Sequence, residues 1–507
     1  MLFPKVSLAS TAPAELAGAI RSLGVCGPVY VELSAEWLTY VARLPEADAA
    51  GAEDSKEREA ALKATAGAWA KTNCRAVDAI VGPFPAGQRA LAGVMLDAGV
   101  FRLACIVTSE EDAAALARLT AELPSDRFAA IVRPGSDATE DVVAAVEALG
   151  PELLRGLGSV IVDLSGTAGA GFAGLRPDRP AVYAASGLAP AGGAAVTSAR
   201  GTFFSVTGTR AVRAACKPCP VAVVGAGADA GGVGWAHRAH IDVVAAAQRS
   251  SAPAAGTGAG AGAASAAASA SPGSGDAATS PAPLSIGRCL ACCARSDRPD
   301  GLVTTVVSDE LGVTLGLVYS SAESIQAALA EGRGTYWSRS RAGLWRKGES
   351  SGMIQELVSV SLDCDSDALL FRVRQSGSPP AFCHLLTRTC WGEDTSLGSL
   401  QRVLQSRLAS APEGSYTKRL FEDPALLRAK LLEEAQELSE AETPGHAAAE
   451  TADVIYFALV AAVARGASLE DVQDHLHWRS RKVKRRPGNS KPERIRAAAE
   501  FFASKQR

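Results

Sequence analysis

The chain has 507 residues, room for about three domains at roughly 150 residues each. Hydrophobic residues make up 47% and charged residues 21%, which excludes wholesale disorder, and a formal net charge of −3 gives no sign of a nucleic-acid partner. No uninterrupted apolar run approaches the ~20 residues of a bilayer-spanning helix, and the start, MLFPKVSLAS, lacks both a secretory leader and an Arg-rich transit pattern, so we expect a cytoplasmic protein without a membrane partner.

Across 1–250, apolar runs at 29–33, 101–107, 128–132, 159–164 and 221–224 alternate with Ala-rich helical stretches. Strand, helix, strand order of this kind predicts a parallel sheet and an α/β domain. Residues 251–283 are Ala, Gly, Ser, Thr or Pro apart from Asp276. Such a stretch has too little to bury to offset the entropy of ordering, and reads as a flexible linker. From 284 to 393 the chain predicts a small β-rich domain: strands at 302–307 and 315–319 flank a turn with Asp309 and Gly312, and others follow at 357–362 and 368–373.

From 394 to 487 the apolar period becomes helical. One helix covers 397–408. Asp423 caps a second with Pro424 in its first turn, and that helix ends before Pro444 and Gly445. A third runs from about His446 to Arg465 and stops at Gly466. The fourth starts at Ser468, where Asp471 completes a capping box, and runs out before Pro487. Four helices with short connections predict an all-α bundle. Residues 488–507 form a basic tail; from Arg479 to Arg507, eleven Lys or Arg stand against Glu493 and Glu500, and we read a solvated terminus.

Eleven cysteines in a chain this long are too sparse and uneven for a disulfide framework. In Asp363-Cys364-Asp365-Ser366-Asp367, acids recur at every second residue, so an extended strand would carry all three on one face. Neighbours ~7 Å apart repel by roughly 2 kcal/mol at an effective dielectric near 20; either solvent at a strand edge or a hard cation such as Mg²⁺ relieves them. Cys364 would point to the other side. With Cys383 and Cys390, and His384 beside them, it could give three thiolates and an open position, the arrangement by which Zn²⁺ acidifies a water, or all three could be inert buried thiols. Trp337, Arg339, Ser340, Arg341 and Lys347 interleave cations, hydroxyls and an aromatic, which suits a nucleotide ligand or an ordinary basic surface. The lone Cys216-Lys217-Pro218-Cys219 is read as structural.

In the helical part, Glu433, Glu434 and Glu437 form EExxE, and Glu450 and Asp453 form ExxD on the next helix. Spacings of three and four put these acids on neighbouring faces. They are either a solvated acidic face or a Mg²⁺ site able to bridge triphosphate oxygens; the apolar run 454–463 favours a buried site.

These segments resemble the fused histidine-biosynthesis proteins that join phosphoribosyl-AMP cyclohydrolase to phosphoribosyl-ATP pyrophosphohydrolase. The resemblance covers about 296–487 and rests on SDRPDGL at Ser296, LGLVYSS at Leu315, GRGTYWSRSR at Gly332, LWRKGESSG at Leu344, DCDSDAL at Asp363, FCHLLTRTCWG at Phe382, GSYT at Gly414, EEAQE at Glu433 and ETADVIY at Glu450. It implies Mg²⁺ at Asp363, Asp365 and Asp367; Zn²⁺ at Cys364, Cys383 and Cys390, completed across a homodimer; and His384 as a proton shuttle. It further implies Arg339, Ser340, Arg341 and Lys347 on the phosphoribosyl part, and Mg²⁺ at Glu433, Glu434, Glu437, Glu450 and Asp453. The implied substrates are phosphoribosyl-ATP and phosphoribosyl-AMP. The sequence departs from many single-domain cyclohydrolases at Met353, where they have His, and in reading CHLLTRTCW for CHTGRRSCF. Some fused proteins continue into a histidinol dehydrogenase domain, which the end at Arg507 leads us not to expect. The first 250 residues resemble the leader of the fused proteins, itself like a decayed half of a phosphoribosyl-binding barrel, with Val223 to Gly227 as a remnant phosphate turn and Asp163 at a strand end.

Overall fold

The computed structural model describes residues 2–7, 15–34, 37, 60–75, 77–133, 144–163, 221–224, 241–248, 284–483, 492–493 and 496. Cys216, Cys219, Gly225 to Gly227, the linker 251–283 and nearly all of the basic tail lie outside them. The described residues form a multidomain protein: a parallel sheet with helices, a β-rich middle and a helical C-terminal region.

In the first part, eight strands hydrogen-bond in chain order: β1 (Leu2–Ser7), β2 (Val29–Glu32), β3 (Ala79–Phe84), β4 (Arg102–Val107), β5 (Phe128–Val132), β6 (Ser159–Asp163), β7 (Val221–Val224) and β8 (Ile241–Gln248). All neighbours are parallel, and β1 also pairs with β8, Leu2 opposite Val243, so the sheet closes into a ring. The expected half-barrel is therefore a full circuit of eight strands. Burial on both faces explains the unbroken apolar runs: every residue of β5 is buried. At Gly82 of β3, a Cβ would stand 2.7 Å from the Ala104 carbonyl oxygen of β4, so only glycine lets the strands approach. Helices α1 (Leu16–Leu23), α2 (Ala68–Asn73), α3 (Arg89–Ala98), α4 (Glu110–Glu122) and α5 (Pro151–Gly156) lie in the connections. Asp163 ends β6, as its strand-end reading requires.

Strand β9 (Leu284–Ser285) pairs with β8 and leads into α6 (Ile286–Cys293). The middle part contains β10 (Val303–Asp309), β11 (Thr314–Ser320), α7 (Ala322–Glu331), a hairpin of β12 (Thr335–Ser338) and β13 (Gly343–Arg346), then β14 (Gln355–Leu362) and β15 (Ala368–Gln375). Its four-stranded sheet has the order β11-β10-β15-β14, with β10 and β15 parallel and the other pairs antiparallel. On β15 the alternate residues Leu369, Phe371, Val373 and Gln375 are buried, the period-two pattern of a sheet with one covered face. Helix α6 packs on α7 so closely that a Cβ on Gly287 would lie 2.9 Å from the Gln326 Cα.

The C-terminal part has α8 (Leu397–Ser410), α9 (Tyr416–Glu422), α10 (Pro424–Glu440), α11 (Pro444–Val463) and α12 (Leu469–Ser480). Among the described residues this makes five helices where the periodicity predicts four; the seven-residue α9 is the addition. Leu404, Leu420, Leu427, Phe457, Leu459, Val460 and Val463 form the core. By length and composition α11 is apolar enough to cross a bilayer, but it carries Glu450 and Asp453 and buries Phe457, Leu459, Val460 and Val463 in the bundle.

The end of the bundle docks on the ring. The buried Arg127 donates to the carbonyl oxygens of Phe101 and Val100, 2.7 Å each, and of Arg481, 2.5 Å. Arg481 pairs with Asp78 at 2.8 Å, and the Val483 N–H donates to Asp97 at 2.7 Å. Arg481 and Val483, at the start of the stretch from Arg479 to Arg507, are therefore held against protein.

Candidate active sites

Helices α10 and α11 pack face to face, and this fixes the acids. Asp423 caps α10 by accepting from the N–H groups of Ala425 and Leu426, so the heptad LLEEAQE presents Glu434 and Glu437 to α11. Oxygens of Glu434, Glu437 and Glu450 all lie within 4.8 Å of one another. Glu434 is only 5% exposed. Desolvation, then the carboxylates of Glu450, Glu434 and Glu433, raise the Glu437 pKa above its ordinary value. Glu433 and Asp453 stand outside this trio: Glu433 pairs with Lys430 at 3.0 Å, and Asp453 is exposed.

Two partners were not anticipated from the sequence. Lys430 lies 2.6 Å from Glu434, and its hydrogen bonds to Glu434 and Glu433 raise its pKa. His446 reaches Glu450 at 3.2 Å. Both lie at helical spacings of three or four from their acids, the signal that could have found them. Glu450 Oε2 is buried without a hydrogen-bond partner. Three convergent carboxylates with one orphaned oxygen are the donor set of a hard divalent cation.

The second cluster is Asp363, Asp365 and Asp367, whose oxygens also converge within 4.8 Å. They do so on the turn between β14 and β15, not on an extended strand; Ser366 has a left-handed φ of 70°. The turn forms because Asp363 accepts from the Ala368 N–H at 3.1 Å. Burial opposes ionisation of Asp363, but hydrogen bonds from Ala368 and the neighbouring acids hold its pKa below the ordinary value, while the charges of Asp365 and Asp363 raise that of Asp367.

The thiols divide. Cys383 and Cys390 both lie on the loop after β15, and each shifts the titration of the other. That loop is pinned where the Cys383 N–H donates to Thr387 O at 3.1 Å and the Cys390 N–H to Leu315 O at 2.8 Å. His384 Nδ1 is 3.8 Å from Cys383 Sγ. Hydrogen bonding, first from the Leu385 N–H, lowers the Cys383 pKa; desolvation and then Cys383 raise that of Cys390. Cys364 is elsewhere, exposed, its Sγ 3.9 Å from Asp365. Strand register gives the reason. Ala368 sits opposite Thr304 at the start of β10, whereas Gly316, beside the thiol loop, sits opposite Val307 near its end. The two anchors are three residues apart on β10, about 10 Å at ~3.3 Å per residue, and among the described residues no metal-suited cluster includes a thiol.

The basic segment lies on and after the β12–β13 hairpin. Lys347 is 6% exposed, its pKa lowered by burial and partly restored by Cys390 and Cys383, and its Nζ stands 5.3 Å from the ring centroid of Phe382, the residue before Cys383. Arg339 stacks over Tyr319 at 4.2 Å. Ser340 contacts Ser338 at 3.4 Å, and the Arg341 N–H donates to Ser338. Trp337 is half-buried, and Ser340 and Arg341 are exposed.

Together, a small β domain with a thiol-bearing loop and an acid turn, joined to a helical bundle with an acid trio, define a protein with two separate carboxylate clusters able to hold a metal. Residues 316–392 match the family described as phosphoribosyl-AMP cyclohydrolase, and residues 397–480 that described as phosphoribosyl-ATP pyrophosphohydrolase. A histidine biosynthesis bifunctional protein HisIE from Photobacterium profundum is 37% identical over 201 residues, which span 37% of this chain and 96% of that one. The chain belongs to this family of bifunctional histidine-biosynthesis proteins. The bifunctional protein his7 of Schizosaccharomyces pombe is 49% identical over 214 residues, 42% of this chain and 51% of that one. The trifunctional protein of Neurospora crassa is 52% identical over 226 residues, 44% of this chain and 26% of that one. The chain thus spans between a quarter and a half of these fungal relatives.

Proposed function

We propose that this chain carries out two successive hydrolyses of histidine biosynthesis in the cytoplasm: phosphoribosyl-ATP and water give phosphoribosyl-AMP and diphosphate in the helical bundle, and the adenine ring of phosphoribosyl-AMP is then opened by water in the β-rich part. The observation that carries the reading is the pairing, in one chain, of the convergent Glu434–Glu437–Glu450 trio, with Glu434 buried, and the loop of Cys383 and Cys390 near Lys347.

The donor sets fit two different ions. Carboxylates with an orphaned Glu450 oxygen suit Mg²⁺, as do Asp363, Asp365 and Asp367; thiols suit Zn²⁺. When bound, Mg²⁺ would neutralise triphosphate oxygens and Zn²⁺ would acidify water. The chain's own groups supply the rest. Glu434, Glu437 and Glu450 would hold the ion, with Glu433 and Asp453 on the same two helices beside them; Glu434, the buried member, is the acceptor for a proton from the attacking water. Lys430 neutralises Glu434 and Glu433 while no divalent ion is there. In the β-rich part His384, next to Cys383, carries a proton between water and the ring. Lys347 holds charge beside the thiols, and Trp337, Arg339, Ser340 and Arg341 on the hairpin bind the base and phosphoribosyl groups. Cys364, apart from Cys383 and Cys390, supports a centre completed by a second copy of the chain, hence a homodimer.

The test is a coupled assay starting from phosphoribosyl-ATP. Cys383→Ala should accumulate phosphoribosyl-AMP, and Glu434→Ala should make none. Failure of both variants at the same step would overturn the division of labour.

A further inference from the structure

The loop that carries Cys383 and Cys390 is gripped from outside its own domain. Arg388, between the two thiols, has its carbonyl oxygen bonded by the Phe382 N–H at 3.2 Å and its guanidinium bonded to Asp309 Oδ2 at 2.9 Å. Asp309 is fully buried at the end of β10, and its other oxygen accepts from the N–H groups of Leu311 and Val313 at 3.1 and 2.8 Å. The same Asp309 Oδ2 faces Arg402 at 3.8 Å, and Arg402 also bonds Asp394, which stands 4.0 Å from Arg388 Nε. Arg402 belongs to α8, the first helix of the bundle. Two arginines and two carboxylates, none more than a quarter exposed, thus form one connected network of charges, in which Arg388 Nε faces Asp394 without a hydrogen bond. A buried network of this kind holds a single geometry because losing any member leaves a charge uncompensated.

We infer that Arg402 of the pyrophosphohydrolase bundle is a positioning residue for the thiol centre of the cyclohydrolase part, acting through Asp309 and Arg388. The inference rests on the reading of Cys383 and Cys390 as metal ligands. Arg388 is two residues from Cys390, and its carbonyl closes the loop next to Cys383. With Arg402 gone, Asp394 loses its nearest cation and Arg388 is drawn between two carboxylates. The loop then has more than one arrangement, and the thiol pair is no longer preset. Groups that orient ligands without touching the ion typically govern affinity by ten- to a hundredfold, roughly.

The experiment titrates full-length protein with Co²⁺, whose thiolate-to-cobalt absorption reports the thiol centre without turnover. We expect Arg402→Ala to weaken Co²⁺ binding about tenfold, Arg402→Lys to recover part of that loss, and release of diphosphate by the bundle to stay at the wild-type rate, which also shows that the bundle is folded. Asp394→Asn removes the charge that faces Arg402 while its amide oxygen can still accept from the Ser396 N–H at the start of α8, and it should weaken binding in the same direction; it decides the matter if Arg402→Ala loses diphosphate release as well. Wild-type affinity in both Arg402→Ala and Asp394→Asn would overturn the inference while leaving the thiol reading intact. A wild-type protein that shows no thiolate-to-cobalt absorption would overturn that reading and the inference with it.

Discussion

Glu434→Gln separates the charge of the acid trio from its shape. At the 4.8 Å limit on the carboxylate oxygens, the Glu434–Glu450 pair repels by about 3 kcal/mol at an effective dielectric near 20. Glu437, within the same limit, repels Glu434 by as much again, and on this scale Lys430 at 2.6 Å attracts it by about 6 kcal/mol, so the two effects nearly cancel; in the variant Lys430 keeps Glu433 at 3.0 Å, so no buried cation is stranded. We therefore expect the metal-free variant to be at least as stable as the wild type. Magnesium at a hundred times its dissociation constant should stabilise the wild type by about 2.7 kcal/mol, a shift of roughly 10–20 °C for a bundle of this size. The variant, short of one charge and one ligand, should gain less than about a third of that. Differential scanning calorimetry with and without magnesium reads both quantities. An equal shift in the two proteins, or a metal-free variant clearly less stable than the wild type, would refute the reasoning.

Asp309→Ala should cost the β-rich part about 3–5 kcal/mol, because it leaves Arg388 without its nearest carboxylate and two N–H groups without an acceptor; urea unfolding followed by tryptophan emission checks this, and a loss under about 1 kcal/mol would show that the network carries little. Gly316→Ala puts a Cβ 2.2 Å from the Phe382 ring, so the ring beside Cys383 must move; ring opening should fall while diphosphate release persists, and equal loss of both would point to general unfolding. The pKa of Asp471 is lowered by its hydrogen bonds with Ser468, so its stabilisation is complete above the unfolded value and lost as pH falls through the lower folded one. Helicity should therefore decline in acid, below the ordinary Asp range, and Asp471→Asn should flatten that decline by removing a cap interaction of about 1 kcal/mol. Arg127→Met removes three donated hydrogen bonds, among them the one to Arg481, and should speed limited proteolysis after α12 without changing either hydrolysis.

What could be read from the chain was local. The capping box of Ser468 and Asp471, the Asp423–Pro424 start and the stop at Gly466, left-handed at φ 73°, are all in place, since each is settled within four residues. The EExxE spacing sets Glu434 and Glu437 on one face for the same reason, and packing of α10 on α11 then brings them to Glu450. Contacts between distant residues were not legible. Closure of the ring depends on β1 meeting β8 across more than two hundred residues, and β1 and β3 each contain a proline that hides a strand. Asp309 read as a turn residue, which it is, but its partners Arg388 and Arg402 come from other elements. The acids of Asp363 to Asp367 show a limit of periodicity: spacing of two fits a strand, yet a turn with Ser366 at positive φ gathers the same carboxylates more tightly.

The placement of these contacts separates attachment from chemistry. Among the described residues, the ion pairs joining the bundle to the rest of the chain run from α8 through Arg402, from α12 through Glu470, which meets Arg374 of β15 at 2.5 Å, and from Arg481 just beyond it. The acid trio lies on the other pair, α10 and α11. Strain or slippage at either attachment therefore reaches the acids only through the core of Leu404, Leu427 and Phe457, whereas it reaches the thiol loop directly through Arg388. The asymmetry follows from the fold: a helical bundle holds its own site between two of its helices, while a loop at the end of a four-stranded sheet takes its shape from whatever is packed against it.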